Sequence, residues 1–186
     1  MKVTEQEWHE KMHNLIDRRA SVGHNNDNYR TQSAVADYAS HMKKVFVGKT
    51  LLDVGCGSQY LKGCIPPQTE YYGLDAFPIT EDVFSGKIEE ERVLNFFTKV
   101  KTIETVVAFA VMDGCQDFDK AIEHMKLIAQ KNVVFLTGIG IKPDKYHTFE
   151  LKMSDFTKRF QGWENTTHEE IQPNVWILQF TKHEAK

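Results

Sequence analysis

Two carboxylates and two glycines lie close enough in the chain to build a ligand site. Leu51-Leu52-Asp53-Val54 runs into Gly55-Cys56-Gly57-Ser58-Gln59, and eighteen residues beyond Gly57 the stretch Tyr71-Tyr72-Gly73-Leu74 ends in Asp75. An apolar run that meets glycines one residue apart reads as a buried strand followed by a turn that a ligand can approach closely. A carboxylate at the end of the next strand can accept two hydrogen bonds from a ribose diol, each worth roughly 1.5–3 kcal/mol when the acceptor is charged. Asp53, beside the glycines, can orient the turn or accept from an ammonium group. Either acid alone could be an ordinary strand-end cap; with the glycine pair they point to a nucleoside held by a βαβ unit. A dinucleotide fits less well, because the third small residue it needs is here Tyr60, and Gly63 with Pro66-Pro67 curtails the helix that would face a pyrophosphate.

A second constellation competes. His9-Glu10-Lys11-Met12-His13 matches the His-Glu-x-x-His pattern of zinc metalloproteases, two imidazoles one helical turn apart with a glutamate to activate water. No third ligand follows at a matching spacing, and Trp8, Met12 and Leu15 account for the segment as an amphipathic packing helix. No metal is therefore expected.

These residues need elements to position them. Thr4-Glu5-Gln6-Glu7 has capping-box form, and Trp8, Met12, Leu15 and Ile16 follow at helical spacing, predicting a helix to about Arg19. Residues 21–28 carry turn chemistry and suit a lid, and a second helix is expected over 31–46. The strand at Leu51 follows, then a short helix, then the Tyr71 strand. A third strand is expected over 93–97, a central one over 105–111, a helix over 119–130 and a fifth strand over 132–138. A helix over 154–160 and a hairpin turning at Pro173-Asn174 close the chain. Strand and helix alternate, which predicts an α/β fold with a parallel sheet.

The 186 residues, 41% hydrophobic and 26% charged, suit one domain, 1–186, with N-terminal helices and lid over 1–48 and a core over 49–186. A net charge of -3 gives no global attraction to nucleic acid or anionic lipid, although Lys43-Lys44 and Lys99 with Lys101 could guide a charged substrate. Cys56, Cys64 and Cys115 are odd in number and lack Cys-x-x-Cys spacing. They suit a reducing compartment, and with no leader-like or membrane-spanning run a soluble, cytoplasmic protein is expected.

Leu51 to Gln59 resembles the first motif of class I S-adenosylmethionine-dependent methyltransferases. Tyr72-Gly73-Leu74-Asp75 resembles their second, and residues 106–136 are similar to their fourth strand, helix and fifth strand. The resemblance implies a Rossmann-like three-layer sandwich whose seven-stranded, mostly parallel sheet has the order 3-2-1-4-5-7-6, the seventh strand antiparallel. It implies S-adenosylmethionine as cofactor, with Gly55, Cys56 and Gly57 under its methionine part and Asp75 on the ribose. Ala76 or Phe77 would flank the adenine, Asn95 and Phe96 would contact it, and Ala110 with Val111 would lie beside the sulfonium. Two positions depart from the family pattern: Gln59 replaces a glycine, and Asp113-Gly114 replaces the Glu-His pair of many small-molecule members.

Methyl transfer from a sulfonium needs chiefly in-line alignment, which can supply roughly 7–11 kcal/mol. A hydroxyl acceptor would also benefit from a base, for which Asp113, His24 and His147 are the candidates; Tyr29 could meet the cofactor carboxylate. The expected acceptor is a small molecule, with protein or nucleic acid also open. A subunit that binds the cofactor without turnover is the alternative.

Overall fold

The computed structural model describes residues 1–21, 45, 48–99 and 101–183. The expected lid, most of the expected second helix, His24 and Tyr29 lie outside them. Among the described residues the chain forms α1 (Glu5–Ser21), β1 (Thr50–Val54), a 3-10 turn (Tyr60–Gly63), β2 (Glu70–Asp75), β3 (Phe84–Ser85) and α2 (Glu91–Lys99). There follow β4 (Ile103–Phe109), α3 (Phe118–Ile128), β5 (Ala129–Gly138), α4 (Met153–Thr157), β6 (Trp163–Gln172) and β7 (Val175–Lys182).

The strands join in one seven-stranded sheet of order β3-β2-β1-β4-β5-β7-β6, as the resemblance implies. β1, β2, β3, β4 and β5 are parallel, and β7 pairs antiparallel with both β5 and β6. β1 and β4 are buried on both faces, which is why their sequences are near-continuous apolar runs rather than alternating ones. One face carries Leu52, Val54, Leu74, Val106 and Phe135 against Val93 and Phe97 of α2, Ile122 and Met125 of α3 and Phe156 of α4. The other face carries Leu51, Val107, Val134 and Ile177 with Val45 and Leu61.

One expected element is wrong in kind. Residues 93–97 are not the third strand but the middle of α2, and the third strand is the short pair Phe84–Ser85. Val93 and Phe97, one turn apart, are the buried positions of that helix, and Phe97 packs edge-on against Phe84 and Tyr72. Short runs of β-branched and aromatic residues fit either element, and here the helical spacing of Val93 and Phe97 prevails over strand propensity. Other boundaries move by a few residues. The central strand stops at Phe109 because Ala110 turns to φ 53, and the helix after the glycine turn is only a single 3-10 turn. None of the helices among the described residues is long and apolar enough to cross a membrane.

Candidate functional site

Where β1 ends, the glycine turn folds over the end of β2. The amides of Gly55 and Cys56 both donate to the Leu74 carbonyl, at 2.7 and 3.1 Å. Gly55 has φ 69, and a Cβ there would come within 2.3 Å of a Val111 methyl. Glycine is thus required twice over, by backbone conformation and by the close approach of the loop after β4. Gln59, also left-handed at φ 57, donates from its side-chain amide to Thr80 and Asp82, each at 2.7 Å. The residue that stands in place of a glycine therefore ties the turn sideways to the loop after β2.

Asp75 closes the turn from the other side. Its carboxylate accepts from the Gly57 amide at 2.9 Å on one oxygen and from the Phe77 amide at 2.8 Å on the other. An ionised carboxylate offers about four lone-pair sites, so two backbone bonds leave acceptor capacity on both oxygens for a vicinal diol. Asp53 sits deeper, 3% exposed, and accepts from the Tyr71 hydroxyl at 2.7 Å. Burial raises its pKa to about 7, partly offset by the Tyr71 bond and reinforced by the Asp75 charge. Burial likewise pushes the Cys56 thiol up, which leaves it a packing group rather than a nucleophile.

A cleft opens beside this turn, enclosing about 680 Å³ of space partly continuous with solvent. Gly55, Asp75, Ala76, Phe77, Ala110 and Val111 all line it. So do Trp8, Met12, Leu15 and Ile16 of α1, and Lys87, Ile88 and Glu89 from the loop after β3. Ala110, a non-glycine residue with positive φ, places backbone strain at the cleft, a pattern typical of functional sites. Asn95 and Phe96 are not among the lining residues. They ride on α2, Asn95 exposed and Phe96 against Phe84 at 4.6 Å. The residues that take the place after the third strand are Gly86, Lys87 and Ile88. Their signal is Phe84-Ser85-Gly86, a short strand meeting a glycine ahead of the acids Glu89, Glu90 and Glu91.

The structure brings Asp113 and His147 together, His147 Nε2 lying 3.6 Å from an Asp113 oxygen. Asp113 is 9% exposed, and burial raises its pKa while the nearby His147 and local backbone amides oppose that rise. The other imidazole nitrogen, Nδ1, lies 2.8 Å from Asp144, and Lys11 donates to the Asp144 and His147 carbonyls. Neither Asp113 nor His147 lines the cleft, but Gly114 and Cys115, next along the chain, do.

The zinc-protease pattern resolves into helix surface. His9 pairs with Glu5 at 3.1 Å, Glu10 accepts from Gln6 and His13 is exposed, while Trp8 and Met12 face inward. Among the described residues no group of three or more His, Cys, Asp or Glu is placed to hold a metal ion.

No protein-family model matches the chain, and no curated protein matches it in sequence. Solved structures do match. The 1,6-didemethyltoxoflavin-N1-methyltransferase of Burkholderia thailandensis, solved with 1,6-didemethyltoxoflavin and S-adenosylhomocysteine, aligns with a TM-score of 0.65 at 9% identity, over 99% of this chain and 92% of its own. Magnesium protoporphyrin IX methyltransferase of Synechocystis PCC 6803, with bound S-adenosylhomocysteine, aligns at 0.60 and 13% identity, over 82% and 84%. The fold is that of the class I S-adenosylmethionine-dependent methyltransferases. A methyltransferase of Aquifex aeolicus dependent on the same cofactor adds a third likeness, at 0.54 and 15% identity over 77% of this chain and 88% of its own. Within this methyltransferase fold, the cleft lies at the carboxyl ends of β1, β2 and β4, where open α/β sheets take their ligands.

Proposed function

We propose that the chain is an S-adenosylmethionine-dependent methyltransferase acting on a small-molecule acceptor. The observation that carries this reading is Asp75. It stands at the end of β2, bonded to the Gly57 amide, and lines a cleft that Ala110 and Val111 also line. In this reading the Asp75 carboxylate would take the ribose hydroxyls, Gly55, Cys56 and Gly57 would hold the methionine moiety, Ala76 with Phe77 would border the adenine, and Ala110 with Val111 would face the sulfonium. The cofactor supplies an already activated methyl group, so the task left to the chain is alignment and the exclusion of water.

The acceptor approaches past Val111, on the side of Asp113 and His147. His147, with Asp144 at 2.8 Å and Asp113 at 3.6 Å from its two ring nitrogens, lies outside the cleft lining beside Gly114 and Cys115, so methyl transfer in this reading rests on alignment, and a base is called for only where the acceptor is a hydroxyl or protonated amine. The toxoflavin enzyme, solved with 1,6-didemethyltoxoflavin bound, supports a small molecule as the substrate class.

Calorimetric titration with S-adenosylmethionine and S-adenosylhomocysteine tests the reading. Both should bind to the wild type, and Asp75→Ala should weaken both by two charge-assisted bonds, on the order of a hundredfold or more. A wild-type protein that binds neither ligand refutes it.

A further inference from the structure

Resting on that reading of the cleft, we propose that Gln59 is a positioning residue for the cofactor, the brace that sets the spacing between the glycine turn after β1 and the loop after β2. Those two segments are the walls that a bound S-adenosylmethionine would span, its methionine part on one and its ribose and adenine on the other. Asp75 joins them close to the sheet, by accepting from the Gly57 and Phe77 amides. Gln59 joins them again further along each loop, where its side-chain nitrogen donates to the Thr80 hydroxyl and to the Asp82 carboxylate, both at 2.7 Å. A single tie leaves a hinge; a second one fixes the angle.

Gln59 is held there against its own backbone preference. It sits at φ 57 and ψ 33, a left-handed conformation that glycine adopts freely and a side chain opposes. Such a residue persists only where its surroundings over-determine it, and such residues cluster at functional sites. Here the surroundings form a closed ring of bonds. Lys62 donates to Asp82 at 3.1 Å and to the Gln59 side-chain oxygen at 3.3 Å, so both ends of the Gln59 amide are engaged. Hydrogen bonds from Thr80, Lys62 and Gln59 hold the Asp82 carboxyl at about 2, which keeps it an ionised acceptor at neutral pH. Gln59, Lys62, Thr80 and Asp82 all lie outside the cleft lining, so the ring acts on a ligand only through the two walls. Bonds this exposed add little to overall stability; what they fix is geometry, and walls spaced before the ligand arrives need little further ordering on binding.

The test is calorimetric titration of the full chain, of Gln59→Gly, of Asp82→Ala and of the double variant with two probes, S-adenosylhomocysteine and adenosine, with thermal melting to identify folded variants. The first probe spans both walls, whereas the second lacks the part that would meet the glycine turn. Each single variant should melt within about 3 °C of the wild type. Each should bind S-adenosylhomocysteine about tenfold more weakly and adenosine no more than about twofold more weakly. The double variant should lose no more than the weaker-binding single one, because both substitutions open the same ring. Folded Gln59→Gly that binds S-adenosylhomocysteine as tightly as the wild type overturns the proposal. Equal losses for the two probes, the mark of general loosening, overturn it as well, and so do losses that add in the double variant. If Gln59→Gly does not fold, Asp82→Ala, in an exposed loop, decides by the same two probes. A wild type that binds neither probe overturns the underlying cofactor reading, and the brace with it.

Discussion

Asp53 shows how position alone sets the chemistry of a residue. Two carboxylates flank the same turn, and their neighbours were readable in the sequence, but their surroundings were not: Asp75 is bonded to two backbone amides and faces the cleft, whereas Asp53 is enclosed beneath it with a tyrosine hydroxyl. The consequence is a pH dependence. Unfolded, the Asp53 carboxyl ionises near its ordinary value of 3.8, and folded it ionises at about 7. Between those values the folded protein holds a proton that the unfolded chain has released, so stability falls as the pH rises through this window. The contribution is whole below about pH 4 and lost above about pH 7, and its full size is on the order of 4 kcal/mol. Asp53→Asn keeps an oxygen for Tyr71 but cannot ionise, so its melting temperature should change less with pH than that of the wild type over that window. Equal slopes for the two proteins would count against this account. At this scale the turn at Gly55 and the acid at Asp75, both of which line the cleft, were legible because motif residues are neighbours in the chain. Trp8, Lys87 and Cys115 were not, since only the fold brings such distant positions to one cleft.

At the scale of elements, a strand at 93–97 and a helix over the same residues make opposite demands on Phe97. In a strand, Val93, Asn95 and Phe97 would share a face; in α2, Val93 and Phe97 share one and Asn95 turns to solvent. Phe97 is 1% exposed and contacts Tyr72, Phe84 and Phe96. Phe97→Ala should cost about 3–5 kcal/mol in denaturant unfolding, while Asn95→Ala should change stability by less than about 0.5 kcal/mol. A large effect at Asn95 would argue against the helix. The long strands were easier to read, because β4 and β5 are too apolar and too β-branched for anything except a doubly covered sheet. β3, only two residues long, has too little periodicity to announce itself. At α1 the capping box at Thr4 and Glu7 forms as read, with the Thr4 amide donating to Glu7 at 2.8 Å and the Glu7 amide to Thr4 at 3.2 Å.

Across the whole molecule, the cleft draws its walls from α1 and from the loops after β1, β2, β3 and β4, so a ligand bound there bridges parts of the chain that unfolding separates. S-adenosylhomocysteine at a hundred times its dissociation constant should stabilise the protein by about 2.7 kcal/mol. For a chain of this size that corresponds to a rise in melting temperature of roughly 5–11 °C. Thermal denaturation with and without the ligand measures it, and no rise at saturating ligand would contradict the cofactor assignment. The global topology was readable only through the resemblance, because the position of β7 between β5 and β6 follows from no local pattern in the chain.

That position also has a meaning in time. β1, β2 and β4, whose ends frame the cleft, precede residue 110, whereas β7 is the last strand along the chain and must insert between two that come before it. On a ribosome, the outer edge of β5, with six of its ten residues in the buried run from Asn132 to Thr137, emerges well before its partner is made. The half of the sheet that frames the ligand can assemble during synthesis. The other half waits with an apolar edge unpaired, and that interval is when this chain is most exposed to misassociation.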